Sequence, residues 1–230
     1  MKIIIDAYGG DNSPGEIVKG ALAALKEKEN FDIVLVGKEG GIKSVLAEEE
    51  YDTLRVSVVD ADEVIGCDET PTEAIRKKPN SSVVKCVRLL KDDENAEAFV
   101  SAGSTGAVLT AAVLLSPRIK GVNRPALAPL FPNMKGGETL FLDCGANADC
   151  KPINLQQFAV MGSVYMNQVK GVKRPKVALL SNGTEDAKGN ALTKEAFVLL
   201  KNTPSVNFVG NMEARDILSG EYDVVVTDGF

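Results

Sequence analysis

The chain has 230 residues, of which 44% are hydrophobic and 25% charged, and it has a formal net charge of -6 and a pI of about 4.9. These values are ordinary for a globular protein with a sizeable core, and they exclude an intrinsically disordered chain. The acidic balance also excludes a general nucleic-acid binder, which would need a basic field.

Strand-like and helix-like segments alternate from the first residues onward. Ser13-Pro14-Gly15-Glu16 predicts a capping box with proline at the first helical position. Ala98 to Pro117 has no charge, but its polar glycine turn favours a strand and a helix over a membrane span. In this half we predict strands at Lys2–Asp6, Phe31–Val36, Leu54–Val59 and Ala98–Ser101, and helices after Ser13 and at Ile42–Glu49, Thr70–Lys78, Ser81–Leu90 and Thr105–Leu115.

The alternation continues in the second half. Gly136-Gly137 separates two strands at hairpin spacing, which predicts one antiparallel pair. The order of elements predicts a three-layer αβα architecture with a mostly parallel sheet, in a single α/β domain spanning residues 1–230. Asp228-Gly229-Phe230 directly follows a strand, so we expect the natural chain to continue. The predicted strands are Ala126–Phe131, Thr139–Asp143, Lys176–Ser181, Val206–Gly210 and Asp223–Thr227, and the helices are Ile153–Val169, Ala191–Lys201 and a short one near Glu213–Leu218.

The chain contains no histidine, which removes the commonest general base and both Ser-His-Asp and Cys-His catalysis. The four cysteines form no C-x-x-C pair, so we expect reduced core thiols and no Cys/His zinc site. We also expect no cofactor and no metal ion in the functional site. Four aspartates could form an acidic cluster or a divalent metal site, but such residues more often cap helices and turns. These aspartates are Asp6, Asp11, Asp143 and Asp149, and the cysteines are Cys67, Cys86, Cys144 and Cys150.

Polar, glycine-rich loops follow four of the predicted strands. In the loop Ser101–Gly106, glycines let backbone N–H groups approach an anion, and the following helix N-terminus and hydroxyl groups add to the attraction. This loop could hold phosphate, or it could be a tight turn with a serine or threonine N-cap. It is neither a Walker loop nor G-x-G-x-x-G, so it specifies no nucleotide. The other loops are Asp6–Asp11, Asp143–Asp149 and Ser181–Glu185 with Lys188-Gly189-Asn190.

Several charged and apolar groups have two interpretations. Lys188 could be solvated, or it could bind an anion and stabilise charge on a reacting carbonyl. The apolar stripe of Pro152–Val169 favours core or a subunit interface over an acyl pocket. Basic residues cluster at Arg118, Lys120 and Arg124 and at Lys170, Lys173, Arg174 and Lys176; such clusters are more often solvated surface, but an acidic protein partner would need one.

The loops and their spacing closely resemble the phosphate acyltransferase (PlsX) family of phospholipid synthesis, from residue 1 to residue 230. Two departures are Tyr8, where methionine is common, and Asn12, where histidine is usual. The motifs that carry the resemblance are Asp6–Asp11, Phe99–Ala107, Arg118–Pro129, Leu142–Pro152, Gly183–Glu185, Lys188–Asn190, Leu192–Phe197, Gly210–Asp216 and Asp228–Phe230.

The resemblance implies a fold similar to those of phosphate acetyltransferases and isocitrate/isopropylmalate-type dehydrogenases. It implies transfer of a long-chain fatty acyl group from acyl carrier protein to inorganic phosphate, giving acyl phosphate for phospholipid synthesis. It also implies a cytoplasmic homodimer that associates transiently with the inner face of the membrane. The family's reactive lysine falls on Lys188, and a functional asparagine of the family lies beyond Phe230.

We therefore expect Lys188 to be the catalytic residue and the strand-end loops to bind substrate. Carrier protein would contact Arg118, Lys120, Arg124, Lys173 and Arg174. The expected substrate-binding residues are Asp6, Gly9, Gly10, Asp11, Ser101, Gly103, Ser104, Thr105, Gly106, Asp143, Asn147, Asn182, Gly183, Thr184 and Glu185.

Three alternatives stay open on the sequence. A phosphate acetyltransferase would use acetyl-coenzyme A in place of acyl carrier protein. A dehydrogenase on the related fold would bind nicotinamide, although the dinucleotide fingerprint is missing. A non-catalytic fragment would bind carrier protein or a partner subunit without turnover.

Overall fold

The computed structural model describes residues 1–230, and the chain divides into two compact units, Met1–Ile119 and Lys120–Phe230. Each unit is built around its own sheet, which differs from the single sheet that we expected. The sequence did not indicate this division because no Pro-, Gly- or Ser-rich linker separates the units. Each unit is an α/β arrangement in which helices follow strands.

The first unit contains four parallel strands in the order β3-β2-β1-β4. Its first strand is interior, and the chain moves outward through β2 and β3 before β4 returns to the other side of β1. The loops after β1 and β4 therefore meet where the direction of strand succession reverses, which is the usual ligand site in such sheets. The elements are β1 (Lys2–Asp6), α1 (Gly15–Glu27), β2 (Asp32–Gly37), α2 (Glu39–Leu46), β3 (Val56–Asp60), α3 (Pro71–Lys77), α4 (Ser82–Asp92), β4 (Ala96–Val100) and α5 (Thr105–Leu115).

Helices cover both faces of the first sheet. On one face, Leu22 of α1 and Ile42 of α2 pack with Leu35 of β2. On the other face, Cys86 of α4 packs with Ile4 of β1. Successive side chains of a strand point to opposite faces of the sheet, and here both faces are covered by helices. Both sets of side chains must therefore be apolar, which is why these strands are nearly continuous hydrophobic runs.

The second unit contains five strands in the order β5-β6-β9-β7-β8. β5 and β6 form an antiparallel hairpin, with Leu130 paired to Leu140, and the other pairings are parallel. β9 lies between β6 and β7 although it follows both in sequence. The elements are β5 (Leu130–Pro132), β6 (Glu138–Leu142), α6 (Pro152–Gln168), β7 (Lys176–Ser181), α7 (Ala191–Lys201), β8 (Asn207–Glu213), a 3-10 helix (Ala214–Asp216) and β9 (Val224–Val226).

The main core of the second unit lies between its sheet and the helices α6 and α7. Phe158 of α6, Leu200 of α7 and Leu179 of β7 are all fully buried in it. On the opposite face, Met212 of β8 packs with Ile217, which follows the 3-10 helix. The apolar stripe of α6 is therefore largely core, which is one of the two interpretations that its sequence favoured.

The predicted three-layer α/β class, with mostly parallel strands and one antiparallel pair, is confirmed. The predicted capping box at Ser13–Glu16 is wrong: Pro14 is itself the N-cap residue of α1, and no side chain caps that helix. The predicted strand Ala126–Phe131 is shortened to Leu130–Pro132, because the preceding residues join loop interactions described below. No helix in the structure is both long enough and apolar enough to cross a membrane.

Candidate functional site

In the first unit, hydrogen bonds connect the loops after β1 and β4. Ser101 Oγ donates to Asp6 Oδ2 at 2.8 Å, and the amide of Gly103 donates to Ser101 Oγ at 3.1 Å. The other carboxylate oxygen of Asp6 accepts from the amide of Tyr8 at 3.2 Å. Asp6 is only 3% exposed, so its carboxylate is an internal anchor for both loops. These bonds also occupy the Ser101 hydroxyl, which we expected to bind substrate.

Glycine allows the two loops to approach each other closely. A β-carbon added to Gly9 would lie 2.6 Å from Ser101 Oγ and 2.9 Å from the amide nitrogen of Gly103. Such distances are below any ordinary contact, so no larger residue fits at Gly9 without moving a loop. The structure therefore brings together four of the predicted site residues, Asp6, Gly9, Ser101 and Gly103.

The same loops line a small cleft at the start of α5. Its cavity volume is only about 10 Å³, roughly the room that one water molecule needs, and its walls include Asp6, Gly9, Ser101 and Ser104. Ser104 is the N-cap residue of α5 and accepts from the amide of Ala107 at 3.3 Å. The two interpretations of this loop are thus compatible, because the capped helix still presents first-turn amides without intrahelical acceptors.

The remaining predicted residues of these loops are more open. Thr105 and Asp11 are exposed, and neither has an ion pair or side-chain hydrogen bond in the structure. Gly10 adopts a φ of 108°, a conformation that favours glycine. Gly106 contacts α3, since a β-carbon there would lie 2.9 Å from Pro71 Cγ. The ring of Tyr8 lies against Gly37 and Gly41, and burial raises the pKa of its hydroxyl group.

In the second unit, Asp143 anchors the loop that follows β6. It is 1% exposed, and its carboxylate accepts four hydrogen bonds of 2.7 to 3.2 Å. The donors are the backbone amides of Leu127, Ala146 and Asn147 and the side-chain amide of Asn147. This arrangement explains why β5 begins late, because Leu127 and its neighbours bond to the Asp143 loop instead of to a strand.

Asn147 extends this network. Its side-chain nitrogen also donates to the carbonyl of Pro125 at 2.8 Å, and its own carbonyl accepts from the amide of Gly229 at 2.9 Å. The loops after β6 and β9 are therefore joined at the carboxyl edge of the second sheet. Asp143 and Asn147, both predicted to bind substrate, have direct structural roles here.

Lys188 lies in the loop between β7 and α7. It is exposed, and its ammonium group forms no ion pair or hydrogen bond in the structure. Its aliphatic stem lies over Gly183, where a β-carbon would be 2.8 Å from Lys188 Cγ and 3.1 Å from Lys188 Cδ. Within the same loop, Asn182 Oδ1 accepts from the amide of Gly189 at 2.9 Å. The loop thus holds the lysine stem while leaving its charge available, and Thr184 and Glu185 are exposed beside it.

Asn211, near the carboxyl end of β8, was not identified from the sequence. Its side-chain nitrogen donates to the carbonyl of Glu185 at 2.8 Å, and that carbonyl also accepts from the amide of Lys188 at 3.0 Å. Asn211 lies one residue beyond the predicted strand Val206–Gly210 but inside the observed β8, so its burial, at 6% exposed, was not anticipated. Its place in the motif Gly210–Asp216 was the signal that the sequence offered.

The predicted partner-binding residues lie in different segments of the chain, and four of the five are in the second unit. Arg124 donates to the carbonyl of Asp149 at 2.7 Å and so supports a loop. Lys173 and Arg174 are exposed just before β7, at the opposite end of that strand from the Lys188 loop. Arg118 and Lys120 are exposed on either side of the boundary between the units.

Neither the four cysteines nor the predicted aspartates form a metal centre. No group of three or more histidine, cysteine, aspartate or glutamate side chains is placed to hold a metal ion. All four cysteines are free thiols. Asp6 anchors loops of the first unit, and Asp143 anchors a loop of the second unit.

The fold is similar to that of phosphotransacetylases of known structure. A phosphotransacetylase from Streptococcus pyogenes superposes with a TM-score of 0.71 at 20% sequence identity, covering 100% of this chain and 78% of that chain. At this identity the likeness defines the fold class alone.

Sequence comparison identifies the family within that class. A family model described as "Fatty acid synthesis protein" matches residues 1–230. The phosphate acyltransferase of Fusobacterium nucleatum is 52% identical over 230 residues, which is 100% of this chain and 69% of that protein. That of Dictyoglomus thermophilum is 49% identical, with 100% of this chain and 68% of that protein covered. The chain belongs to the phosphate acyltransferase family.

Proposed function

We propose that this protein transfers a long-chain fatty acyl group from acyl carrier protein to inorganic phosphate. The match to phosphate acyltransferases along the whole chain, at about half identical residues, carries the proposal. In the reaction a phosphate oxygen attacks the thioester carbonyl, the carbon–sulfur bond breaks, and the carrier thiolate leaves and takes up a proton. The products are acyl phosphate and free carrier protein.

A site without histidine suits this chemistry. Phosphate is already an anionic nucleophile at neutral pH, so no strong base is needed to generate it. The protein must instead position the reactants and stabilise the oxyanion that develops on the carbonyl. Positioning two bound reactants can supply roughly 7–11 kcal/mol of the barrier, and each oxyanion donor about 2.7–4 kcal/mol.

The start of α5 supports phosphate binding. Ser104 caps the helix, Thr105 is exposed, and the first amides of the helix have no intrahelical acceptor. Asp6 is a buried carboxylate at the base of the same cleft. Because like charges repel, the phosphate would lie at the mouth of the cleft by Thr105 and Gly106 rather than at its base.

Lys188 would stabilise the charge that develops in the transition state. Its exposed ammonium group has no carboxylate partner, so its charge is not neutralised within the loop. Asn182 and Thr184 lie in the same loop, where they would orient the thioester. Asp143 and Asn147 would act by holding in place the loop that follows β6.

Carrier protein, homodimer formation and membrane association are further parts of the proposal. The basic residues Arg118, Lys120, Arg124, Lys173 and Arg174 would meet the acidic carrier, and this charge complementarity predicts salt-sensitive association. The protein would act in the cytoplasm as a homodimer and contact the inner membrane surface transiently.

The test is release of free carrier-protein thiol from palmitoyl–acyl carrier protein, measured with and without inorganic phosphate. Phosphate-dependent release, with acyl phosphate as the second product, would support the proposal. Acetyl-coenzyme A serves as the competing donor: release from it alone would favour an acetyltransferase. Binding of carrier protein without release from either donor would favour a non-catalytic role.

A further inference from the structure

Two neighbouring strands place polar groups beneath the loop that carries Lys188. Asn211 lies on β8 opposite Leu179 of β7, and Ser181 lies two residues beyond Leu179. Since alternate residues of a strand share a face, Asn211 and Ser181 lie on the same face as the buried Leu179. The side-chain oxygen of Asn211 and the hydroxyl of Ser181 are both buried and have no hydrogen-bond partner.

An asparagine whose side-chain oxygen is buried and unpaired at this position lowers the stability of the folded protein. An apolar side chain of similar size would fill the same space beside Leu179 without leaving a polar atom unpaired. Residues that break such local rules are concentrated at functional sites. The role of Asn211 must therefore come from its other side-chain atom, the amide nitrogen.

That nitrogen donates a hydrogen bond to the same carbonyl that accepts from the backbone amide of Lys188. The carbonyl of Glu185 accepts from Asn211 Nδ2 at 2.8 Å and from the Lys188 amide at 3.0 Å. Because β8 is a packed strand and the loop is exposed, Asn211 connects a rigid element to the segment that carries the lysine. Without the bond from Asn211, the Glu185 carbonyl would be free to turn toward solvent. The backbone of Lys188 would then no longer be held in place relative to β8.

We propose that Asn211 is a positioning residue for Lys188, acting through the carbonyl of Glu185. This inference rests on the proposed function, since it concerns the placement of the residue that we assign to charge stabilisation. Asn211 does not itself touch the reacting atoms. It fixes the loop so that the lysine ammonium is held where the oxyanion develops.

The main test compares Asn211→Leu with Asn207→Leu. Asn207 is a matched control, because it lies on the same strand and also donates to a backbone carbonyl, that of Arg174 at 3.1 Å, but at the amino end. Asn211→Leu is expected to lower kcat about 10²-fold, the effect of misplacing a reacting group by about 1 Å, with little change in KM or Tm. Asn207→Leu is expected to keep its kcat.

Asn211→Asp supplies a second readout. Its carboxylate cannot donate to the Glu185 carbonyl, but its protonated form can, and burial raises the pKa of such a group. The kcat of this variant should therefore rise relative to wild type as pH falls. Tm measured over the same pH range separates positioning from folding, because recovery of kcat at constant Tm requires an effect on Lys188 and not on stability.

Hydrogen exchange separates this inference from the proposed function. Amides of residues 182–190 should exchange faster in Asn211→Leu than in wild type or Asn207→Leu, whether or not the protein turns over palmitoyl–acyl carrier protein. No turnover by wild type would defeat the proposed function alone. Unchanged loop exchange, an unaffected kcat, or an Asn211→Leu protein that fails to fold would each overturn the positioning role.

Discussion

Lys188 and Gly183 are in such close contact that a β-carbon on Gly183 would lie 2.8 Å from Lys188 Cγ. Gly183 is itself buried, whereas the lysine is exposed. The absence of a side chain at one residue thus determines the path of the other. The added carbon would also lie 2.9 Å from Glu185 Oε2. Because the atoms in contact belong to two flexible side chains, added bulk at Gly183 would displace Lys188 and Glu185 rather than unfold the loop.

Gly183→Ala should therefore lower kcat by up to about 10²-fold while leaving the protein folded. Steady-state kinetics with palmitoyl–acyl carrier protein, together with Tm, would measure both effects. Gly20→Ala is the control: Gly20 is exposed within α1 with open space around it, and the change should stabilise the protein by about 0.5–1 kcal/mol without affecting kcat. An unchanged kcat in Gly183→Ala would show that this contact does not place Lys188.

Gly9→Ala should disturb the first unit more directly. The added carbon would meet Ser101 Oγ, Asp6 Oδ2 and the Gly103 amide at 2.6 to 2.9 Å, and two of these three atoms belong to short, hydrogen-bonded side chains. We expect a loss of about 1–3 kcal/mol in the free energy of unfolding and a higher KM for phosphate. Urea unfolding and phosphate titration would measure them. A variant with normal stability and normal phosphate KM would contradict the close packing of these loops.

Asp143→Ala should be severely destabilising for structural reasons. The change removes the acceptor of three backbone amides, those of Leu127, Ala146 and Asn147, and each unpaired buried donor costs about 1–3 kcal/mol. Asp143→Asn keeps one acceptor oxygen and should lose less. Urea unfolding of wild type and both variants would rank their free energies of unfolding. Equal stability of wild type and Asp143→Ala would leave the residue free for a direct chemical role.

The four thiols should differ sharply in reactivity. Cys67 and Cys144 are exposed, whereas Cys86 is fully buried. Burial raises the pKa of Cys150, and the nearby negative charges of Asp228 and Asp143 raise it further, so its reactive thiolate is scarce. With a thiol reagent in mildly alkaline buffer we expect two fast and two slow thiols, identified by mass spectrometry.

The control for this measurement is the protein unfolded in urea, in which all four thiols should react rapidly. Labelling of Cys150 as fast as that of Cys144 in the folded protein would contradict the burial of its loop.

Acid should weaken the attachment of β1 to the end of α4. Lys2 Nζ donates to Asp93 Oδ2 at 2.8 Å, and this bond, followed by one from the Asn95 amide, lowers the pKa of Asp93. A lowered folded-state pKa adds stability above the usual aspartate value of about 3.9, and that stability is lost as pH falls through the folded-state pKa.

Asp93→Asn should therefore be less stable than wild type near neutral pH, with a difference that disappears in acid and shrinks in high salt. Urea unfolding of both proteins at a series of acidic pH values would measure this difference in the free energy of unfolding. Glu94→Gln is the control, because Glu94 is exposed next to Asp93 and forms no ion pair. A difference that stays constant with pH would exclude the ion pair as its source.

Local pattern predicted most elements, because periodicity and turn residues are local properties. β1, α5, β7 and α7 have the predicted bounds, and the hairpin between β5 and β6 is confirmed. The capping box failed because Pro14 itself occupies the N-cap position. Local pattern could not predict the order of the strands in the sheet, because the insertion of β9 between β6 and β7 depends on pairing between residues far apart in sequence.

The candidate site was predicted as a set of loops but not as a set of contacts. That Asp6 accepts from Ser101 and that Asp143 accepts four hydrogen bonds depends on loops far apart in sequence. Asn211 was missed because it lies beyond the predicted strand Val206–Gly210 and because its bond to Glu185 joins residues 26 positions apart. The assignment of Lys188 and of the substrate-binding residues stays a prediction.

The position of β9 has a consequence for biosynthesis. In the first unit, β1, β2 and β3 pair in the order of their synthesis, and β4 is added at an edge. In the second unit the interior strand β9 is made after both of its neighbours, β6 and β7: Val224 follows Leu142, the end of β6, by 82 positions. Until it emerges from the ribosome, the β5-β6 hairpin and the β7-β8 pair each have an open edge. The second unit should therefore fold later and more slowly than the first, and its nascent form should depend more on chaperones.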